Sequence, residues 1–228
     1  MRKGAYSRYM AELAHRIPLD IKLWHTTEPL DFFLDQCPAQ VRAQFDPGWH
    51  PRRQYEYAAS RFLLYRMVDP ALVLHSTPRG APFFADTDLA VSISHCQGYV
   101  GVLLGQTAVG LDLEQTLVPR NWNTARVFMN EEELRHYESD RSPATFLEVW
   151  CAKECLYKVL NTDWPDLSFK RQLWVQPSPT PGAVFPRQLP GGLRRQEIER
   201  SYLVHIDQPV PDLIVAATTG EPIPTPVP

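Results

Sequence analysis

Hydrophobic residues recur along this chain with two periods, and the stretches carrying each period take turns. The opening is the least regular part. Residues 21–24 predict a strand, and residues 28–43 one helix or two short ones, before a turn at Pro47-Gly-Trp-His-Pro51. From 52 to 68 the period becomes helical, with Tyr55, Ala58, Ala59, Phe62, Leu63 and Met67 on one side and Arg52, Arg53, Arg61 and Arg66 along it. Short strand-like runs follow at 71–75, 89–94, 99–104 and 107–114, with a tight turn at Thr77-Pro-Arg-Gly-Ala-Pro82. The gaps at 95–98 and 105–106 are short enough that antiparallel hairpins are expected on both sides of residues 99–104.

Residues 117–161 turn helical again. Asn130 followed by three glutamates predicts a capping-box start, with acids at the positive helix end. Ser142-Pro143 predicts a second helix start, an N-cap with proline at the first helical position, and Asn161 and Pro165 mark its end. Strands return at 166–169, 173–175, 201–206 and 213–217. Residues 177–192, rich in Pro and Gly, are expected to form a mobile loop, and 220–228 an extended, disordered tail. Helix followed by antiparallel strands, twice over, makes the expected fold class α+β, built as two similar halves. The division expected is 1–116, 117–219 and the tail 220–228. Residues 99–104 resemble 213–217 in place and texture.

Composition narrows the function classes. The 228 residues are 44% hydrophobic and 21% charged, with a net charge of −3, ordinary for a soluble chain long enough to bury a sizeable core. No excess of positive charge points to nucleic acid or an anionic membrane. The four cysteines, Cys37, Cys96, Cys151 and Cys155, include no C-x-x-C pair or zinc pattern, and reduced, packed thiols in a cytosolic protein are expected. No run of 18 apolar residues occurs and no apolar stretch follows the charged start, so neither a membrane span nor a signal peptide is expected.

Three short stretches carry candidate chemistry. In Trp150-Cys-Ala-Lys153-Glu154-Cys-Leu-Tyr-Lys158, Trp150, Glu154 and Lys158 form one helical stripe with Lys153 at its edge. A carboxylate with two ammonium groups beside it can hold a metal and an anion together; the alternative is an ordinary Glu–Lys pair on a solvated face. In Gly110-Leu-Asp112-Leu-Glu114 the two acids share one strand face, and residues 80–119 hold no Lys or Arg to relieve them. They are either a solvated edge or, given the apolar flanks, a partly buried pair that needs a cation. With Glu154 they make an all-oxygen set suited to Mg²⁺, which commonly shares its shell with substrate phosphates. Ser92-Ile-Ser94-His95 closes a strand, its histidine either structural or poised toward a phosphate, and Arg79-Gly80 adds a basic contact. Ser94 and His95 face opposite ways and make no triad. There is no P-loop and no G-x-G-x-x-G.

In this order and spacing the motifs resemble the Sfp-type 4′-phosphopantetheinyl transferases, which show a Ser-His strand end, G-x-D-x-E, then W-x-x-K-E-x-x-x-K. Arg53, Glu56 and Arg61 resemble that family's first-half helix, and Arg126-Val-Phe128 followed by Glu132 its segment before the motif helix. The likeness spans residues 52–170; the flanks match in outline. It implies two similar α/β halves about a pseudo-twofold seam. It also implies Mg²⁺-dependent transfer of 4′-phosphopantetheine from coenzyme A to a serine of an apo acyl or peptidyl carrier protein, releasing adenosine 3′,5′-bisphosphate. On that resemblance Asp112, Glu114 and Glu154 hold the metal, and Glu154 or a metal-bound water takes the serine proton. Lys158 meets the pyrophosphate, offsetting charge or giving a proton at the leaving phosphate. Ser94 and His95 bind coenzyme A, His95 near its 3′-phosphate, with Arg52, Arg53 and Arg79 as further phosphate contacts. Glu132 is placed near the metal or the carrier. The nucleophile lies outside the chain. One departure is Gly80-Ala81-Pro82, where the family often has Lys or Arg between Gly and Pro: either Arg79 replaces that contact or coenzyme A binds more weakly. Cys96 stands where Ser is common. A cytoplasmic monomer is expected, with an acidic helical carrier docking at Arg120, Arg126 and Arg135 unless these are ordinary surface arginines. The other readings are a non-catalytic carrier-binding module of the same fold and another Mg²⁺-dependent phosphotransfer or hydrolytic enzyme.

Overall fold

The computed structural model describes residues 12–178 and 185–224. Strand β1 (Asp20–His25) leads into two short helices, α1 (Leu30–Gln36) and α2 (Ala39–Ala43), and then α3 (Pro51–Leu64). A small ribbon of β2 (Leu74–Ser76) and β3 (Pro82–Phe84) precedes β4 (Ala90–Cys96), β5 (Tyr99–Gly105) and β6 (Val109–Gln115). A 3₁₀ turn at Trp122–Thr124 opens the helical stretch of α4 (Ala125–Phe128), α5 (Glu131–Asp140) and α6 (Pro143–Leu160). Strands β7 (Leu173–Val175), β8 (Arg187–Arg195), β9 (Ile198–Val210) and β10 (Leu213–Thr219) follow. The fold is α+β and all its pairings are antiparallel: β1-β5-β4 in one sheet, β6-β10-β9-β8-β7 in another, β2-β3 apart. No described helix is long and apolar enough to cross a membrane.

Three apolar clusters hold these layers. Helix α3 buries Ala58, Ala59, Phe62 and Leu63 against the first sheet, and α6 buries Leu147, Val149, Leu156 and Leu160 against the second. The third cluster lies between the sheets, where Leu23 and Leu103 meet Leu111, Leu113 and Val215. The N-terminal segment is fastened across this seam by Arg16, which donates to the fully buried Asp207 through its backbone N–H (2.8 Å) and guanidinium (2.7 Å).

The hairpin expected between residues 99–104 and 107–114 does not form. Strand β5 already has β1 on one edge and β4 on the other, so β6 turns away and pairs with β10. It passes under Gly101, where a Cβ would come within 2.8 Å of Leu113 and 2.9 Å of Leu23. Edge strands β4 and β6 then run side by side without a ladder. Instead the Ser92 and Ser94 hydroxyls accept the N–H groups of Leu111 (3.0 Å) and Leu113 (3.1 Å). Buried edge N–H groups need such partners, which gives the Ser-x-Ser spacing a structural cause.

Three further expectations are corrected. Residues 187–192 are not loop but the start of β8. The Pro190 carbonyl accepts from Gln176 N–H (2.8 Å), just beyond the end of three-residue β7, so the missing proline N–H costs no strand pairing. At Gly192 a Cβ would strike the Arg200 carbonyl of β9, so this pairing excludes larger residues. Residues 166–169 are turn rather than strand, because Ser168 closes hydrogen bonds with Gln172 and Leu173. The start of the tail is tied down, with Ile223 N–H bonded to the Ser201 carbonyl at 2.7 Å. Residues 179–184 of the expected loop and 225–228 of the tail lie outside the described residues.

Candidate active site

Helix α6 begins as its sequence dictates. Ser142 accepts from Thr145 N–H (3.0 Å), Pro143 takes the first turn, and 18 residues run to Asn161. It can lie on β6 only because residue 110 is glycine: a Cβ there would fall on the Cys155 carbonyl. That close approach brings Lys158 onto β6, where its Nζ donates to the Leu111 carbonyl (2.6 Å) and to Asp112 Oδ1 (3.1 Å). The Ser94 hydroxyl lies 3.3 Å from the same Oδ1.

Asp112 is 7% exposed. Its Oδ2 is buried without a hydrogen bond of ordinary length, with the Cys151 thiol beside it. Burial pushes the Asp112 carboxyl up; Lys158 opposes this and Glu114 adds to it. Burial alone would depress Lys158, but the charge of Asp112, the hydrogen bond to it and the charge of Glu154 act together against burial, and the ammonium is held more firmly than usual. Half-buried Glu154 is pushed up to about 7, first by desolvation and then by the charges of Asp112 and Glu114, against Lys158. Glu114 is better supplied: the Trp150 indole donates to Oε1 (2.9 Å) and Arg120 to Oε2 (2.5 Å).

The donor set fits a hard divalent cation. It is all carboxylate oxygen, with a buried Asp112 oxygen that has no hydrogen bond of ordinary length and a Glu154 whose proton affinity is raised first by burial and then by the other two acids. It is not a preformed cage: among the described residues no three ligating groups already stand at coordination geometry.

Two cavities flank these groups. One, of about 450 Å³, is lined by Arg79, Ala81, Phe83, Glu154, Tyr157 and Lys158. Arg79 is steadied there by donating to the Pro165 carbonyl at 2.9 Å. The other, of about 510 Å³, is lined by Arg52, Tyr55, Glu56, His95, Cys96 and Tyr99. In it Glu56 Oε1 meets Arg52 Nε at 2.7 Å and His95 Nδ1 at 3.4 Å. Desolvation holds the His95 imidazole below its usual range; Glu56 opposes this while Arg52 and Lys158 add to it. His95 therefore stands neutral at pH 7. Ser94 and His95 do face opposite ways, one to Asp112 and the other to this second cavity.

Of the residues singled out in the sequence, Arg79, Glu154 and Lys158 line the first cavity, and Asp112 and Ser94 join them through the hydrogen bonds from Lys158 to Asp112 and from Ser94 to Asp112. Arg52 and His95 sit in the second. Exposed Arg53 lies over the Trp49 ring at 4.6 Å and lines neither cavity. Glu132 lies in a separate cleft with Arg135, Lys170 and Arg171. Lys153 is not the second ammonium beside Glu154. It is fully buried, pairs with buried Glu133 at 2.6 Å, and donates to the carbonyls of Phe128 (2.9 Å) and Phe169 (2.7 Å). Burial moves both members of that pair toward neutrality, and each partner's charge opposes it. The sequence left Arg120 either on a docking surface or as an ordinary surface arginine; in the structure it donates to Glu114. The signal was available, since Arg120 is the first cation after the 80–119 stretch that has none. Arg126 pairs with Glu138 at 2.7 Å, and Arg135 donates to the Glu131 carbonyl at 3.3 Å.

No curated protein matches the chain. Residues 108–205, from the residue before β6 through α6 and into β9, match the family model of the 4′-phosphopantetheinyl transferase superfamily.

Proposed function

We propose that this chain is an Sfp-type transferase that moves 4′-phosphopantetheine from coenzyme A to a serine of an apo acyl or peptidyl carrier protein. The observation that carries the reading is Glu154 at the first cavity, pushed up to about 7 beside Asp112, Glu114 and Lys158. A group of that affinity is half ionised near neutrality, as a general base requires. The superfamily match covers Asp112, Glu114, Glu154 and Lys158.

In the proposed reaction the carrier serine oxygen bonds to the phosphorus that bears pantetheine. The bond from that phosphorus to the bridging oxygen breaks, and adenosine 3′,5′-bisphosphate leaves. Glu154 accepts the serine proton. Lys158 has three donors and spends two on Leu111 and Asp112; the third is free for the pyrophosphate, where charge grows on the leaving oxygen. Asp112, Glu114 and Glu154 would hold Mg²⁺, which when bound supplies charge neutralisation at the pyrophosphate. Arg79 serves the phosphates from the cavity wall. Arg52 and His95 serve them from the second cavity, where a bound phosphate would draw a proton onto His95. Ser94 acts by seating Asp112. Arg126, with exposed Leu117 (80%), Val118 (37%) and Val127 (74%), offers the carrier a mixed apolar and basic surface.

Chromatography of coenzyme A incubated with the chain and Mg²⁺ tests this. Adenosine 3′,5′-bisphosphate should form only when an apo carrier is present. Its formation without any carrier points to a hydrolase, and its absence with every carrier removes the transferase reading.

A further inference from the structure

Both oxygens of Glu114 are taken by the protein's own donors. The Trp150 indole holds Oε1, and Arg120 Nη2 holds Oε2 and also reaches the Gln115 carbonyl at 3.2 Å. Glu114 and Arg120 are comparably sheltered, with side chains 21% and 20% exposed. Asp112, by contrast, has Lys158 on Oδ1 at 3.1 Å while its buried Oδ2 has only the Cys151 thiol beside it, and Glu154 makes no ion pair among the described residues. The three acids are thus in unequal states: among the described residues Glu154 has no cation on it, Asp112 has Lys158 on one oxygen only, and Glu114 has both oxygens filled, one of them by a cation. Trp150 and Arg120 also differ in kind. The indole is neutral and leaves the carboxylate its full charge. The guanidinium cancels that charge and stands on the loop after β6, free to move away without breaking a helix or strand.

We propose that Arg120 is a resident counter-ion that competes with the divalent cation for Glu114. In the metal-free protein it neutralises the third carboxylate, so that three acids are not left facing one another. On metal entry it releases Oε2, while Trp150 keeps Oε1 and the orientation of the side chain. Arg120 is then a positioning residue that sets metal affinity. This rests on the three-carboxylate reading of the site.

The experiment is Mn²⁺ binding to the whole chain without coenzyme A or carrier, read by electron paramagnetic resonance of free Mn²⁺. Wild type, Arg120→Gln and Arg120→Lys are compared, with Asp112→Asn to show that the ion sits at this site. Removing a half-sheltered competing ion pair should tighten Mn²⁺ binding in Arg120→Gln, by roughly threefold to tenfold. Arg120→Lys should stay near wild type. A merely structural arginine would give the opposite sign, because losing it would let Glu114 wander. Unchanged or weaker binding in Arg120→Gln, with wild type still binding, overturns the competition alone. Binding that survives in Asp112→Asn, or is absent from wild type, overturns the carboxylate site and the competition with it.

Discussion

Replacing Lys153 by methionine separates a structural lysine from a catalytic one. The side chain is wholly buried and its ammonium has three oxygen partners: Glu133, Phe128 and Phe169. Methionine keeps the stem's volume and removes the charge. Glu133 is then left buried with two backbone donors, from Asn130 and Val175, each at 2.8 Å, and no counter-ion. Breaking one side of a buried pair costs about 3–5 kcal/mol, so Tm should fall on the order of 10 °C for a chain of this length. Glu133→Gln in the same background removes the stranded charge and keeps an acceptor for one of the two N–H groups, which bond to different carboxylate oxygens. The double variant should therefore recover at least about 1.5 kcal/mol relative to the sum of the singles. Urea denaturation of the four proteins measures the cycle. A Lys153→Met loss below about 1 kcal/mol, or strict additivity, would refute the buried-pair argument; a collapse in phosphopantetheine transfer at unchanged stability would return Lys153 to the active site.

Two other outcomes follow from the same geometry. Gly110→Ala should destabilise by about 2–3 kcal/mol, because its Cβ meets backbone at Cys155 and not a yielding side chain, and thermal melts will show it. Glu154→Gln should be more stable than wild type at pH 8. A carboxyl raised to about 7 when folded and ordinary when unfolded opposes folding once both states are ionised. The advantage should fade as pH falls from about 7 toward 4.5 and be gone below that, which melts at pH 8 and pH 4.5 compare.

Much of the fold was legible because local rules and tertiary contacts agree. The Asn130 capping box and the Ser142-Pro143 start formed as written, since their caps use only neighbouring residues. Strand β8 was hidden because Pro190, Gly191 and Gly192 are turn residues locally, and their fit depends on β7 ending early and Arg200 approaching closely. The pairing of β6 with β10 was hidden for a similar reason: a two-residue gap suggests a hairpin, and only the filled edges of β5 forbid it. At the site, period put Asp112 beside Glu114 on a strand face and Glu154 beside Lys158 on a helix face, and the family resemblance is what joined the two pairs, as the Lys158–Asp112 contact does in the structure. They did not reveal which cation each acid meets. Lys153 and Lys158 differ by five positions, which places one in the core with Glu133 and the other on Asp112. No charge count along the chain separates them.

The most direct test of the proposed transfer is the intact mass of apo carrier proteins incubated with the chain, coenzyme A and Mg²⁺. The account predicts a gain of one phosphopantetheine on a carrier serine with the wild-type chain, and none with Glu154→Gln or in EDTA. No gain on any carrier, or an equal gain with Glu154→Gln, would contradict it.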